Sequence, residues 1–102
     1  MANYLVRVEI YDAGYNEYEE LHKKMRDLGF YKSIKFSNGK SHDLPDGTYF
    51  GKPDWEKSTV LSNVKRVSKP LSKKDPAIFI CAFTDWTASL YPSKRPQSTT
   101  GT

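Results

Sequence analysis

The sequence predicts a single α+β domain in which two helices cover one face of a four-stranded antiparallel sheet. Three observations predict it. The first ten or so residues alternate apolar and polar side chains, two later stretches repeat apolar residues at helical spacing, and turn-forming residues separate these segments. At 102 residues the chain is one domain's worth. Aromatic residues make up 14% of it, and their burial repays chain entropy in a way that disordered chains cannot match.

Asn3 to Asp12 reads as a strand: Tyr4, Val6, Val8 and Ile10 form the core side, and Arg7 and Glu9 look outward. Asp12-Ala13-Gly14 breaks it. From about Tyr15 to Leu28, Tyr18, Leu21, Met25 and Leu28 fall on one helical face, with Asn16 or Asp12 as the expected cap. Glutamates lie early and basic residues late, which opposes the helix dipole at both ends, and Gly29 supplies the left-handed stop. Phe30 to Ser37 is the second strand. Ser37-Asn38-Gly39-Lys40 predicts a type I′ hairpin turn. The return strand runs from Lys40 to about Gly51, with a bulge or break at Pro45-Asp46-Gly47.

A second helix is expected from Trp55 or Lys57 to Ser68, capped by Asp54 or Ser58 and ended by Pro70. Val60, Leu61, Val64 and Val67 make its apolar stripe. After a polar turn over Ser72 to Pro76, the last strand runs from Ala77 to Thr84, apolar on both sides. Trp86 to Tyr91 extends or covers the sheet. Pro92 to Thr102 is rich in Ser, Thr, Pro and Gly and is expected to be disordered, so the domain is expected over residues 1–91. The order β-α-β-β-α-β is the ferredoxin-like split βαβ pattern. Right-handed crossovers place both of its helices on one sheet face and leave the other open, or covered by a partner subunit or the tail.

Charge and composition narrow the function. Lys57 to Lys74 holds six bases and no acid, more than the whole chain's net +4, so the remainder is net acidic. Lys65, Arg66, Lys69, Lys73 and Lys74 are thus either a localised footprint for a polyanion or a solvated helix face. No apolar run approaches the roughly 20 residues that span a bilayer. The first residues lack the basic-then-apolar order of a signal peptide. A soluble, cytoplasmic protein without a membrane partner is expected.

The chemistry-bearing residues are few. One cysteine permits neither an intrachain disulfide nor a Cys-built zinc site, and the two histidines lack metal-ligand spacing, so no metal and no cofactor are expected. Cys81 reads as a small hydrophobe buried in mid-strand, His42 as exposed, and His22 as a residue at the boundary of the apolar face. Asp12, where the first strand ends, either caps the helix or acts as a metal ligand or as a base towards a ribose 2′-hydroxyl. Arg7 would then hold a phosphate, and His22 or Arg26 would stabilise developing negative charge. Binding without catalysis competes with this reading: a non-catalytic RNA- or protein-binding module whose sheet presents Tyr11, Tyr31 and Tyr49 to bases or to a second subunit.

The run Asn3-Tyr4-Leu5-Val6-Arg7-Val8-Glu9-Ile10, then Asp12-Ala13, Tyr18, Leu21-His22, Met25, Gly29-Phe30, Leu44-Pro45 and Tyr49-Phe50-Gly51 resembles the small bacterial GhoS-type proteins. These are the endoribonuclease antitoxins of type V toxin–antitoxin systems. The likeness runs from about residue 2 to residue 51 and is looser beyond. It implies a ferredoxin-like fold related to small CRISPR-associated nucleases, cleavage of a small membrane toxin's messenger RNA, and Asp12 in the place of those nucleases' strand-end aspartate. Arg7, His22 and Arg26 are its neighbours to test. Cleavage would use the 2′-hydroxyl or a metal-bound water, and the basic residues would hold the RNA backbone. Apart from this resemblance, the open sheet face offers a third expectation, a homodimer whose sheet faces pair.

Overall fold

The computed structural model describes residues 2–93. Its elements are β1 (Asn3–Glu9), α1 (Tyr15–Asp27), β2 (Phe30–Tyr31), β3 (Ser33–Lys35), β4 (Ser41–Asp43), β5 (Thr48–Gly51), α2 (Lys57–Ser68) and β6 (Ala77–Phe83). Four strands form one sheet in the order β2-β5-β1-β6, with every neighbouring pair antiparallel. The strands β3 and β4 form a separate two-stranded hairpin. The fold is therefore α+β, with two helices, the main sheet and one small accessory sheet.

The alternation in β1 sets the layers. Tyr4, Val6, Val8 and Ile10 are buried, whereas Arg7 and Glu9 are exposed. Val6 sits opposite Tyr49 of β5 and Ile80 of β6. Over this side pack Leu21 and Met25 of α1 and Val60, Val64 and Val67 of α2, which join the strand residues and Phe30 in one core. Both helices thus lie on the same sheet face, α1 beside β2 and α2 beside β6. Each fully buried aliphatic or aromatic side chain here contributes about 1.5–3 kcal/mol relative to exposure.

Several local expectations are corrected. Neither Asp12 nor Asn16 caps α1: the N-cap is Gly14, and its N–H donates to the Glu17 carboxylate at 2.8 Å. Asp12 makes no bond to that helix end and lies in the left-handed region at φ 52°. Asp54 and Ser58 do not cap α2, whose N-cap is Glu56 with no side-chain bond. Leu61 is 42% exposed, because α2 buries a narrower stripe of valines, and Ser68 joins it by donating its hydroxyl to Val64 O at 2.7 Å. The α-helix ends at Ser68, and Pro70 falls inside a 3₁₀ turn, Lys69–Leu71.

The long second strand is divided. Phe30–Tyr31 belongs to the main sheet, and the chain then leaves it to form the β3–β4 hairpin. The hairpin turn is not type I′, since Asn38 keeps a negative φ and only Gly39 is left-handed, at φ 84°. Gly39 N–H donates to Phe36 O at 2.9 Å and Phe36 N–H donates to Lys40 O at 3.0 Å. This is the three-residue connection that places a glycine after a tight turn. The break at Pro45-Asp46-Gly47 is present as a turn closed by Thr48 N–H to Pro45 O at 3.0 Å.

The second sheet face carries Leu5, Arg7, Phe50, Phe79, Cys81 and Phe83. Part of it is covered. The hairpin, through Ile34 and Leu44, and the segment around Trp86 and Leu90 enclose with Leu5 and Phe83 a groove of about 480 Å³. Cys81 lines this groove and is half-buried, rather than sealed in the core. His42 is likewise half-buried, stacked on Phe36 with ring centroids 3.9 Å apart. Residues 91–93 run antiparallel to β4: Asp43 N–H donates to Tyr91 O, Ser93 N–H to Ser41 O, and the Ser93 hydroxyl to the Asp43 carboxylate at 2.7 Å. Pro92 and Ser93 are therefore ordered against the hairpin, and the remainder of the expected disordered tail, 94–102, lies outside the described residues.

Gly47 ties this frame to the end of β1. Its φ is 77°, and a Cβ there would stand 2.7 Å from Val8 O. Gly47→Ala is expected to cost about 2 kcal/mol and to lower the melting temperature by roughly 10 °C, read by thermal unfolding followed by circular dichroism. A change within about 2 °C would show that the turn does not hold the strand ends together.

Candidate functional site

A cleft of about 560 Å³ opens where β1 ends, β5 begins and α1 crosses them. Arg7 and Glu9 enter it from β1, Tyr15, Tyr18, Glu19 and His22 from α1, Lys32 from the turn after β2, and Asp46 from the turn before β5. At this corner β5 begins, with Thr48 opposite Arg7 of β1, and the first turns of α1 stand beside it. Its charge is mixed, with two cations facing three carboxylates.

Each functional side chain is held by the fold. The Arg7 guanidinium donates from Nη1 to Asp46 O and to Thr48 Oγ1, both at 3.2 Å. Tyr18 is fixed by its hydroxyl, which donates to Ile10 O and accepts from Ile10 N–H at 3.2 Å each. His22 follows the buried Leu21, and its side chain is 12% exposed. Its Nδ1 lies 2.6 Å from the hydroxyl of Tyr49, a fully buried residue of β5. Its Nε2 lies 4.0 Å from the Glu19 carboxylate.

Burial, followed by the positive charge of Lys32, lowers the His22 pKa below the usual imidazole value, while Glu19 and Asp46 oppose the shift. Burial also raises the Tyr49 pKa. At neutral pH the imidazole is uncharged and the phenol keeps its proton. With the phenol proton directed to Nδ1, the ring's own proton lies on Nε2, towards Glu19 and the cleft; the other tautomer, with Nδ1–H donating to the Tyr49 oxygen, satisfies the same 2.6 Å contact. The arrangement can accept a proton at a carboxylate and stabilise an oxyanion with Nε2–H, Arg7 and Lys32.

The structure brings Arg7 and His22 together in this cleft. Asp12 and Arg26 are not among the residues that line it. Asp12 is exposed in the loop after β1, and Arg26 is exposed one turn beyond His22 on α1. Lys65 and Arg66 occupy the last turn of α2, Lys69 its 3₁₀ extension, and Lys73 and Lys74 the loop before β6; all five are exposed. Lys69 pairs with Asp75 at 3.7 Å, and the Lys74 ammonium stands 4.4 Å from the centre of the Tyr11 ring. Because Lys73 N–H donates to Tyr11 O, this loop is tied to the end of β1 beside Asp12.

Lys32, Asp46, Glu19 and the role of Tyr49 escape the sequence reading. Tyr49 faces the core, not an open sheet face, so it offers no surface to a base. Its direction follows only from the register that sets it opposite Val6. Among the described residues, no three His, Cys, Asp or Glu side chains gather as a metal-ligating group, and no helix is long and apolar enough to cross a membrane. No family model matches the chain, and no curated protein matches it.

The lowered pKa of His22 makes folding pH-dependent with a definite sign. Protonation is harder in the folded state, so its contribution to stability is complete above the usual value of 6.5 and falls as the pH drops through it towards the lower folded value. Lowering the pH from about 7.5 to about 5 is expected to reduce the urea midpoint of the native chain more than that of His22→Gln. Equal reductions in the two proteins would show that His22 titrates as it does in the unfolded chain.

Proposed function

We propose that this chain is a GhoS-like antitoxin with a ferredoxin-like fold, an endoribonuclease acting on the messenger RNA of a small membrane toxin. The strand order β2-β5-β1-β6 with antiparallel neighbours and both helices on one face supports the fold reading. The activity rests on one observation: Arg7, Lys32 and an uncharged His22 converge with the Glu19 carboxylate in a single cleft.

In this reading the Glu19 carboxylate takes the proton of a ribose 2′-hydroxyl. The 2′-oxygen bonds to the adjacent phosphorus and the bond from phosphorus to the 5′-oxygen breaks, with solvent protonating the departing oxygen. His22 Nε2–H, Arg7 and Lys32 stabilise the negative charge that builds on the phosphoryl oxygens. Tyr49 acts through His22, holding the ring in the tautomer that donates. The exposed Lys65, Arg66, Lys69, Lys73 and Lys74 bind the RNA backbone outside the cleft.

The test uses a labelled single-stranded RNA and its 2′-deoxy counterpart. The native chain is expected to cleave the RNA, spare the DNA, leave a 2′,3′-cyclic phosphate and ignore chelators. Arg7→Ala and Glu19→Gln are each expected to slow cleavage by roughly 10²–10⁴-fold, while Asp12→Ala leaves the rate unchanged. Metal-dependent cleavage abolished by Asp12→Ala would move the site to the end of the strand. RNA binding without cleavage would reduce the protein to a non-catalytic binding module.

Replacing the five basic residues with alanine is expected to flatten the logarithmic salt dependence of RNA affinity, by about 0.7 in slope for each phosphate left without its cation. An unchanged slope in a filter-binding titration would remove these residues from the RNA path.

A further inference from the structure

The least satisfied element of the fold is β6. All seven of its residues, Ala77 to Phe83, are apolar, yet none of them is fully buried. Phe79, near its middle, is 66% exposed. The strand stands at the end of the sheet and pairs only with β1. Among the described residues, no other backbone group bonds to it, so its outer row of N–H and C=O groups is unmatched. Natural sheets block such an edge with lysine, proline, a bulge or a covering segment. Within β6 there is no charge and no proline, and its pairing with β1 runs without a bulge from Asn3↔Phe83 to Glu9↔Ala77.

We infer that β6 is a dimerisation edge that pairs antiparallel with the β6 of a second copy of this chain, joining two four-stranded sheets into one of eight. The observations select this occupant over others. An uncharged strand pairing with itself across a two-fold axis sets no like charges face to face, and every opposed pair is apolar on apolar. The opposite edge of the sheet, β2, is only two residues long, so a head-to-tail pairing of β6 on β2 would match two residues and leave the rest of β6 bare. Self-pairing uses all seven residues, a ladder of roughly 24 Å at 3.4 Å per residue, and closes on itself rather than growing into a fibre. The open sheet face is a poorer dimer surface, because the hairpin and the segment around Trp86 already cover part of it. The inference does not depend on RNA cleavage.

Sedimentation equilibrium of the full chain tests it, with amide exchange as the second readout. The native protein is expected to reach twice the 11.7 kDa chain mass, with alternate β6 amides exchanging more slowly as concentration rises. Phe79→Lys and, separately, Phe79→Asp set like charges near each other across the two-fold, because residue 79 lies opposite Cys81 of the second copy and so diagonal to its own counterpart. Each is expected to weaken the dimer at least 100-fold while leaving the far-ultraviolet circular dichroism unchanged. A native chain that stays at single-chain mass up to about 1 mM overturns the inference, because standard-size interfaces hold well below that concentration. So does a dimer whose β6 amides exchange no more slowly than the monomer's, since its contact lies elsewhere. Outer β6 amides equally protected at every dilution would mean that another part of the same chain covers the edge, which also overturns it.

Discussion

The pleat of β1 is the constraint on which the rest of the molecule depends. A strand turns successive side chains to opposite sides, so one register sends Tyr4, Val6 and Val8 under the helices and Arg7 and Glu9 to the other side. A slip of one residue would exchange these sets, exposing three apolar side chains and burying a guanidinium and a carboxylate. Because β1 is a central strand, its register is fixed from both sides, by β5 and by β6. The main-chain pairing continues past the ladder, where Val8 N–H reaches Gly47 O at 2.8 Å. Core and cleft are therefore two sides of one alignment.

The cleft shows how burial and charge cooperate. His22 sits one residue beyond the buried Leu21, close enough to the core to lose part of its hydration and far enough out to present Nε2 to solvent. The buried Tyr49 holds the other ring nitrogen, and the nearby cation Lys32 further disfavours the imidazolium. The carboxylates Glu19 and Asp46 offset that effect without reversing it. A neutral ring with one nitrogen held by Tyr49 results from neighbours supplied by separate elements.

Period and punctuation make much of this architecture legible in the sequence. The alternation of β1, the Leu21–Met25 face of α1 and the Val60, Val64 and Val67 stripe of α2 follow from local spacing, and all are buried as that spacing demands. The features that local spacing misses depend on contacts across the chain. Gly14, not Asp12, caps α1, and the residue before Asp12 is tied elsewhere: Tyr11 N–H donates to Ser72 Oγ and Lys73 N–H to Tyr11 O. The second strand divides because Leu44 N–H claims Lys32 O at 2.7 Å, drawing the chain out of the main sheet. In the cleft, Arg7 and His22 stand out by residue type. Lys32, Asp46 and Tyr49 do not, because a register interrupted by Pro45-Asp46-Gly47 cannot be counted along the chain.

The stitching of residues 91–93 to the hairpin carries its own dynamic signature. It joins segments about fifty residues apart, as in the Ser93–Asp43 bond, through a handful of solvent-facing bonds between very short strands. Few bonds hold so long a span closed, so chain freedom weighs heavily against them. The seam's neighbours Leu44 and Leu90 line the groove whose floor, Leu5, Cys81 and Phe83, is half-buried. The lone thiol of the protein thus sits on a surface bordered by segments remote in sequence, and its reactivity reports how closely that border packs.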